Sequence, residues 1–343
     1  MPAPERAGRA SAGRGRPACA RVPIVSPADP LALAGRVLHD ARPASGGYSG
    51  ETFTGLWQRQ RAYVRLYLRS PERAVVDLAV LRLLDGKVPL PKVLAAVTDP
   101  PTSDRPMPVH VVTAAVPGQR GDQLLADSTA TAAARAFGRG SARVVSVLRQ
   151  HTFSAAGPFT DRRLTVGQWP EGYGTLVALA GHLRPGLVAA GLDAAPGTPL
   201  GSALAAADRR LASSAAQRPS LVHGDLNAKN MVVNPDTGRL RAVLDWEYAH
   251  SGGWLADVGN LLRGLGAADA RPGDQAFREG VVESVHESLH AGRPARTDLE
   301  PDWVRHAHDT DLFALLDLAA RSGAGGAPHK QARTLLIGLA RTN

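Results

Sequence analysis

Cysteine is nearly missing from this chain: Cys19 is the single one among 343 residues. That excludes a disulfide framework and a cysteine-built zinc site. Lysine is almost as scarce, at Lys87, Lys92, Lys229 and Lys330 only, so arginine carries nearly all the positive charge. No apolar run approaches the roughly 18 residues that a membrane-spanning helix needs. The first residues also lack the apolar core of a secretory signal. With 44% hydrophobic and 21% charged residues, the composition is that of a soluble globular protein, with the cytoplasm as the default location. The length allows one large or two ordinary domains.

The net charge of +9 is not spread evenly. Arg6, Arg9, Arg14, Arg16 and Arg21 against Glu5 give the first 21 residues +4, which leaves +5 for the other 322. This mild excess has no basic block and does not point to specific nucleic-acid binding. Residues 1–30, rich in Ala, Gly, Pro and Arg and without periodicity, read as a disordered tail, with order starting near Leu31.

Gly46-Gly47-Tyr48-Ser49-Gly50 leads into an expected strand, Thr52–Trp57, joined through polar Gln58–Arg61 to a second, Ala62–Leu68. Gly46, Gly47, Ser49 and Gly50 read either as a simple turn or as a backbone cradle for phosphate. Alternation puts Tyr63, Arg65 and Tyr67 on one face of the second strand. A helix follows, with Ser70 as cap, Pro71 at its first position and Gly86 as terminator. On it Asp77 shares a face with Val80, Leu81 and Leu84. Arg65 and Asp77 could therefore form an ion pair, or each could reach water at the sheet edge. Pro108–Val116 is strand-like and ends at Pro117-Gly118, a candidate hinge. Beyond it the pattern turns helical, near 122–151, 171–191, 199–217, 256–265, 274–291, 299–321 and 328–341.

The chemistry concentrates between Leu221 and Asp257. His223-Gly224-Asp225 is followed by Asn230, and Asp245 comes fifteen residues later. Met231–Val233 and Leu240–Leu244, separated by Asn-Pro-Asp-Thr-Gly-Arg, read as a hairpin. Antiparallel pairing then returns Asp245 to the neighbourhood of Asn230. A carboxylate and an amide oxygen suit Mg2+, and Asp225 can orient an acceptor hydroxyl and take its proton. Phosphoryl transfer needs these groups more than it needs covalent chemistry. Arg65 would hold the α and β phosphates, positioned by Asp77.

The segments HGDLNAKN (223–230), DWEYA (245–249) and WLADVGNLL (254–262), with GGYSGETF and YVRLYLR upstream in the right order, resemble the aminoglycoside phosphotransferase and choline-kinase-like branch of the protein-kinase-like fold. The resemblance spans residues 35–340. It implies an α+β bilobal fold: a small antiparallel-sheet N-lobe (31–116) that binds nucleotide, and a larger, mainly helical C-lobe (117–343) that carries the catalytic loop, metal site and substrate pocket. It implies Asp225 as catalytic base, Asn230 and Asp245 as metal ligands, and Asp257 as a brace for the loop around His223. It also implies backbone groups around Thr113 and Ala115 as the purine contact. The expected cofactors are ATP or GTP with Mg2+, and the partner is a small-molecule hydroxyl acceptor, with neither membrane nor specific nucleic acid. Arg65 departs from the lysine of protein kinases, and Asp77 from the usual glutamate.

Lys229, one of so few lysines, reads either as a catalytic group beside the transferring phosphoryl or as a surface residue. Glu283, Glu287, Asp309 and Asp311 fall in late helices, where acidic groups would suit a cationic acceptor such as an aminoglycoside; otherwise they are solvated. The five tryptophans are scattered and are expected in cores. His306 and His308 diverge on a helix and give no metal site. The readings in view are an antibiotic kinase, a metabolic kinase for choline, homoserine or a sugar, and a catalytically silent kinase-like binding module.

Overall fold

The computed structural model describes residues 29–44, 51–102, 104, 107–127, 129–213, 218–265, 270–289, 302–321 and 326–342. The expected tail to residue 28, and Gly46, Gly47, Ser49 and Gly50, lie outside these residues.

The described residues open on Asp29, which caps a short helix, α1 (Pro30–Gly35), by accepting the Leu31 N–H. Strands β1 (His39–Pro43), β2 (Thr52–Trp57) and β3 (Gln60–Leu66) follow, then helix α2 (Arg73–Leu84) and strands β4 (Val93–Val97) and β5 (His110–Ala114). They form one antiparallel sheet in the order β1-β2-β3-β5-β4. Ala62, Val64 and Leu66 face inward onto Ala34, Leu38, Phe53 and Val112, while Tyr63 faces out. This is the period-2 burial that the sequence shows.

Two details differ from expectation. Gln60 and Arg61 are not connection but ladder, paired with Trp57 and Leu56. The turn is only Gln58-Arg59, both at positive φ, the two-residue geometry that matches strand twist. Helix α2 starts later than Ser70. The Ser70 carbonyl accepts the Arg73 N–H in a preceding turn, and Glu72 occupies the N-cap without a side-chain bond. Gly86, at φ +72°, does follow the helix end.

Past Pro117-Gly118 the chain pairs at once with the C-terminal part. Strand β6 (Gln119–Arg120) joins a second sheet, in which it lies beside β9 (Met231–Val233), itself paired with β10 (Leu240–Val243). Strands β7 (Gly157–Pro158) and β8 (Ser220–Val222) flank β11 (His250–Gly252) in a third. Helices α3 (Gly121–Ala126), α4 (Thr131–Leu148), α5 (Leu176–His182), α6 (Arg184–Ala189), α7 (Pro199–Ser213), α8 (Leu255–Leu262), α9 (Pro272–Leu289), α10 (Asp302–Ala320) and α11 (Ala327–Thr342) make up the rest. Phe137 of α4 and Phe277 of α9 meet at 4.8 Å in the main core. Helix α10 contributes Trp303, Val304 and Ala307 to that core, and Leu312, Leu315 and Leu316 to a second one with α5, α7 and α11.

The main core also takes Val76, Val80 and Leu84 from α2, together with Leu226 and Trp246. The helix that carries Asp77 is thereby packed against the stretch that carries Asp225 and Asp245. Among the described residues no helix is long and apolar enough to cross a membrane.

Candidate active site

Strand β8 delivers the chain to His223-Gly224-Asp225, and four hydrogen bonds fix that loop. Asp257, buried in the first turn of α8, accepts the His223 N–H at 2.9 Å and the Gly224 N–H at 3.0 Å. The His223 ring spans the other way: Nε2 lies 2.9 Å from the Leu244 carbonyl, and Nδ1 accepts the Asp225 N–H at 3.3 Å. An accepting Nδ1 puts the proton on Nε2. Burial pushes the ring's pKa down to about 4, so it is neutral. Gly224 sits at φ +81°, and a Cβ there would stand 2.5 Å from the Tyr248 carbonyl oxygen. Only glycine fits.

The hairpin works as the spacing requires. Met231 faces Val243, and one step further out the Leu244 N–H donates to the Asn230 carbonyl at 2.8 Å. Asn230 and Asp245 are thus neighbours. The Asn230 amide donates to the Asp225 carboxylate at 2.8 Å, and Asn227 donates to its other oxygen at 2.7 Å. Asn227 also caps the 3-10 turn Ala228–Asn230 through the Lys229 N–H. It was not among the expected site residues, although an Asn two places after an Asp, opening a turn, is a local signal. Burial raises the Asp225 carboxyl to about 6; Arg263 and the Asn230 bond oppose the rise, and Asp245 adds to it.

Asp245 adopts a left-handed conformation, φ 63° and ψ 67°. Its carboxylate meets the Arg65 guanidinium, which also meets Glu247. Arg65 does not pair with Asp77. Its Cζ lies 5.3 Å from the Tyr67 ring centre, and the Tyr67 hydroxyl donates to Asp77 at 2.8 Å. Asp77 has Arg73, 3.8 Å away, as its cation. The reason is reach: Tyr67 shares a strand face with Arg65 and takes the place beside Asp77. Burial raises the Asp77 carboxyl, against the Tyr67 bond and the charges of Arg73 and Arg65.

Glu247 and Arg73 are further residues that the sequence reading missed. The Arg73 guanidinium donates to the Glu247 carbonyl at 2.5 Å and so ties α2 to the turn after Asp245. Burial, and then the Asp245 charge, raise the Glu247 carboxyl, with Arg65 opposing.

Thr113 pairs with Tyr63 in the sheet. The Ala115 N–H is engaged by the Arg61 carbonyl at 3.0 Å. Lys229 stands at an exposed position, and its charge acts on Asp122 of α3. Against burial, Arg120 first and Lys229 second hold Asp122 below the usual carboxylate range.

Each of the four late-helix carboxylates, expected either to be open to a cationic acceptor or to be solvated, meets an arginine, and Glu287 is solvent-exposed as well. Glu283 meets Arg135 and Arg139, and Glu287 meets Arg139 at 2.9 Å. Buried Asp309 takes Arg210 at 2.7 Å, and buried Asp311 takes Arg263 at 2.8 Å and 2.5 Å. Of the tryptophans, Trp246, Trp254 and Trp303 are buried, but Trp169 is 38% exposed.

The architecture is that of kinase-like small-molecule phosphotransferases. A thermostable mutant of aminoglycoside phosphotransferase APH(4)-Ia, solved in ternary complex with AMP-PNP and hygromycin B, matches with a TM-score of 0.59 at 18% identity, over 91% of this chain and 98% of that one. A putative aminoglycoside phosphotransferase from Ralstonia eutropha matches at 0.57 and 18%, over 90% and 94%. The GDP complex of wild-type aminoglycoside 2'-phosphotransferase-IIIa matches at 0.57 and 18%, over 89% and 94%. At that identity the likeness shows the fold. No curated protein matches the chain in sequence. The family is shown independently, because the model of the phosphotransferase enzyme family matches residues 40–299, and the chain belongs to that family.

Proposed function

We propose that the protein transfers the γ-phosphoryl group of a nucleoside triphosphate, ATP or GTP, to a hydroxyl of a small molecule. One observation carries the reading: the β9–β10 hairpin sets Asn230 and Asp245 beside Asp225, and Arg65 reaches the same point from the five-stranded sheet. On this reading residues 31–116 form the nucleotide-binding lobe and 117–343 the catalytic lobe.

The donor set fits a divalent cation. Asp245 and Glu247 share the Arg65 cation, which leaves one negative charge in excess, and the Asn230 side chain adds a neutral oxygen. Asp245 and Asn230 would hold Mg2+, which when bound neutralises the phosphate charge. Among the described residues the buried Arg65 Nε has no hydrogen-bond partner, which leaves a donor for a phosphate oxygen. Asp225 accepts the hydroxyl proton as the acceptor oxygen bonds to the γ-phosphorus. The bond from that phosphorus to the β–γ bridging oxygen breaks, and the nucleoside diphosphate leaves. Asn227 and Asn230 hold the Asp225 carboxylate in place. His223, neutral and tied to Leu244, and Asp257, on two backbone amides, keep the loop rigid. The Lys229 charge acts on Asp122, which makes Lys229 the weakest of the proposed catalytic groups.

The test is magnesium-dependent release of nucleoside diphosphate across a panel of hydroxyl acceptors, with Asp225→Asn as control. Acceptor-dependent release that Asp225→Asn leaves undiminished would sink the proposed base. No magnesium-dependent nucleotide binding would favour a silent binding module.

A further inference from the structure

Where the sheet meets the catalytic half, Arg65, Tyr67, Arg73 and Asp77 could pair in more than one way. Among the described residues five buried side-chain polar atoms lack a hydrogen bond, and three of them, Arg65 Nε, Arg73 Nε and Asp77 Oδ1, lie here. The cluster is therefore short of partners, and a bond given to one member decides what another is left with.

Two anionic sites compete for the Arg65 cation. Asp77 keeps only 6% of its side chain exposed, whereas Asp245 keeps 36% and Glu247 26%. An unmet carboxylate costs more when it is buried than when water still reaches it. On burial alone Asp77 should hold the arginine, and it is close enough for its charge to act on Arg65. Arg65 instead meets Asp245 and Glu247.

Tyr67 accounts for this outcome. Its ring is seated among Ala74, Leu78, Val109 and Val111, and its hydroxyl donates to Asp77 Oδ2 at 2.8 Å. Burial, then the Asp77 charge, raise the phenol well above its ordinary range, so it stays a donor. Arg73, 3.8 Å from the other oxygen, supplies countercharge from the same helix. Asp77 is thus met by a neutral donor and by a cation already in place. Two residues along the strand from Arg65, the Tyr67 ring also flanks the guanidinium, with Cζ 5.3 Å from its centre.

We propose that Tyr67 is a positioning residue: its hydroxyl satisfies Asp77 and thereby keeps Arg65 on Asp245 and Glu247. Arg65 then covers the carboxylate that would hold Mg2+ until the phosphates of a nucleotide draw the guanidinium away. Metal binding is in this way made dependent on nucleotide. That consequence rests on the phosphotransfer reading, whereas the choice of partner for Arg65 does not.

The test compares the full chain with Tyr67→Phe, which keeps the ring and removes the hydroxyl. Asp77 then lacks its donor, and Arg65 is expected to move to it. Thermal unfolding without metal or nucleotide reads the pairing. Arg65→Gln and Asp77→Asn are made singly and together, in the wild type and in the Tyr67→Phe background. Where the two residues are partners, the double change lowers Tm by less than the single losses sum to. This shortfall should grow in the Tyr67→Phe background.

The second readout is Mn2+ binding without nucleotide, followed by the paramagnetic resonance of the free ion, with ATP and GTP titrated separately. Tyr67→Phe should bind Mn2+ about fivefold more tightly and nucleotide about fivefold more weakly. A merely structural tyrosine would weaken both. Asp77→Asn in that background should return both towards the wild type, because an amide does not need a cation. A shortfall that does not grow overturns the proposal, whatever the metal does. So does tighter Mn2+ binding that Asp77→Asn leaves undiminished, because Asp77 is then not what draws Arg65 away. A shortfall that grows while Mn2+ binding is unchanged or weaker upholds Tyr67 and counts against Asp245 as a metal ligand, and so against phosphotransfer.

Discussion

The Arg65 guanidinium rests on the Asp245 carboxylate, 180 residues away in the chain, and grips Glu247 as well. That contact joins the five-stranded sheet to the stretch that carries the proposed metal ligand. Against burial, Asp245 and Glu247 raise the Arg65 pKa above its ordinary value, so the group is always a cation. Replacing it with alanine leaves two carboxylates facing each other without compensation. Arg65→Ala is expected to weaken nucleotide binding and to lower stability by roughly 1–3 kcal/mol, less than for a fully buried pair because Asp245 and Glu247 are partly screened by solvent. Added Mg2+ should then raise its Tm more than it raises that of the wild type. Calorimetry with and without Mg2+ checks this, and equal shifts would mean the cation does not bind at Asp245.

Asp225→Asn keeps the shape of the side chain and removes the proton acceptor. It is expected to lower kcat by about 10²–10⁴-fold. Nucleotide affinity, read by titration, should change far less, because in the proposed mechanism Asp225 acts on the acceptor hydroxyl.

Burial raises the Asp225 carboxyl to about 6, and that sets a pH limb. The ionised form accepts the proton, so kcat/KM should fall as pH drops through about 6. A raised carboxyl pKa means protonation favours the folded chain at this residue: its contribution to stability is present at low pH and is lost as pH rises through about 6. At Asp225 itself the acid limb is therefore a loss of activity and not of fold; buried His223, lowered to about 4, works the other way and loses stability as pH falls below the ordinary imidazole range. A pH–rate profile that is flat between 5 and 8 would contradict the assignment.

Arg263, paired with Asp311, is the strongest charge holding the Asp225 pKa down. Arg263→Gln should move the acid limb to higher pH, because the carboxylate loses the cation that favours its charged form. A limb at the same pH would show that Arg263 serves only Asp311.

Gly224→Ala puts a Cβ 2.5 Å from the Tyr248 carbonyl at a backbone φ of +81°. The left-handed backbone alone costs about 1–3 kcal/mol, and the clash must shift either the catalytic loop or Tyr248. Urea unfolding should show the loss of stability, and kcat should fall with it.

The residues between Leu221 and Asp257 were legible from the chain because their geometry is short-range. A hairpin with a six-residue turn fixes where Asn230 and Asp245 lie, whatever surrounds it. The inner strands β2, β3 and β5 were legible too, since burial on one face stamps a period of two on the sequence. Strands β1 and β4 were not. They are the edges of the sheet, and HDARP and VLAAV carry no such alternation.

By itself the sequence determined the two-part architecture, the family, and the meeting of Asp225, Asn230 and Asp245. The tertiary structure alone decided which carboxylates Arg65 holds, that Tyr67 and Arg73 take Asp77, and that four candidate acids are matched with arginines. It alone decided that Trp169 faces solvent. These are choices among partners of equal charge or equal hydrophobicity, far apart in the chain. Periodicity says that a side chain points inward, but only packing says what it meets there.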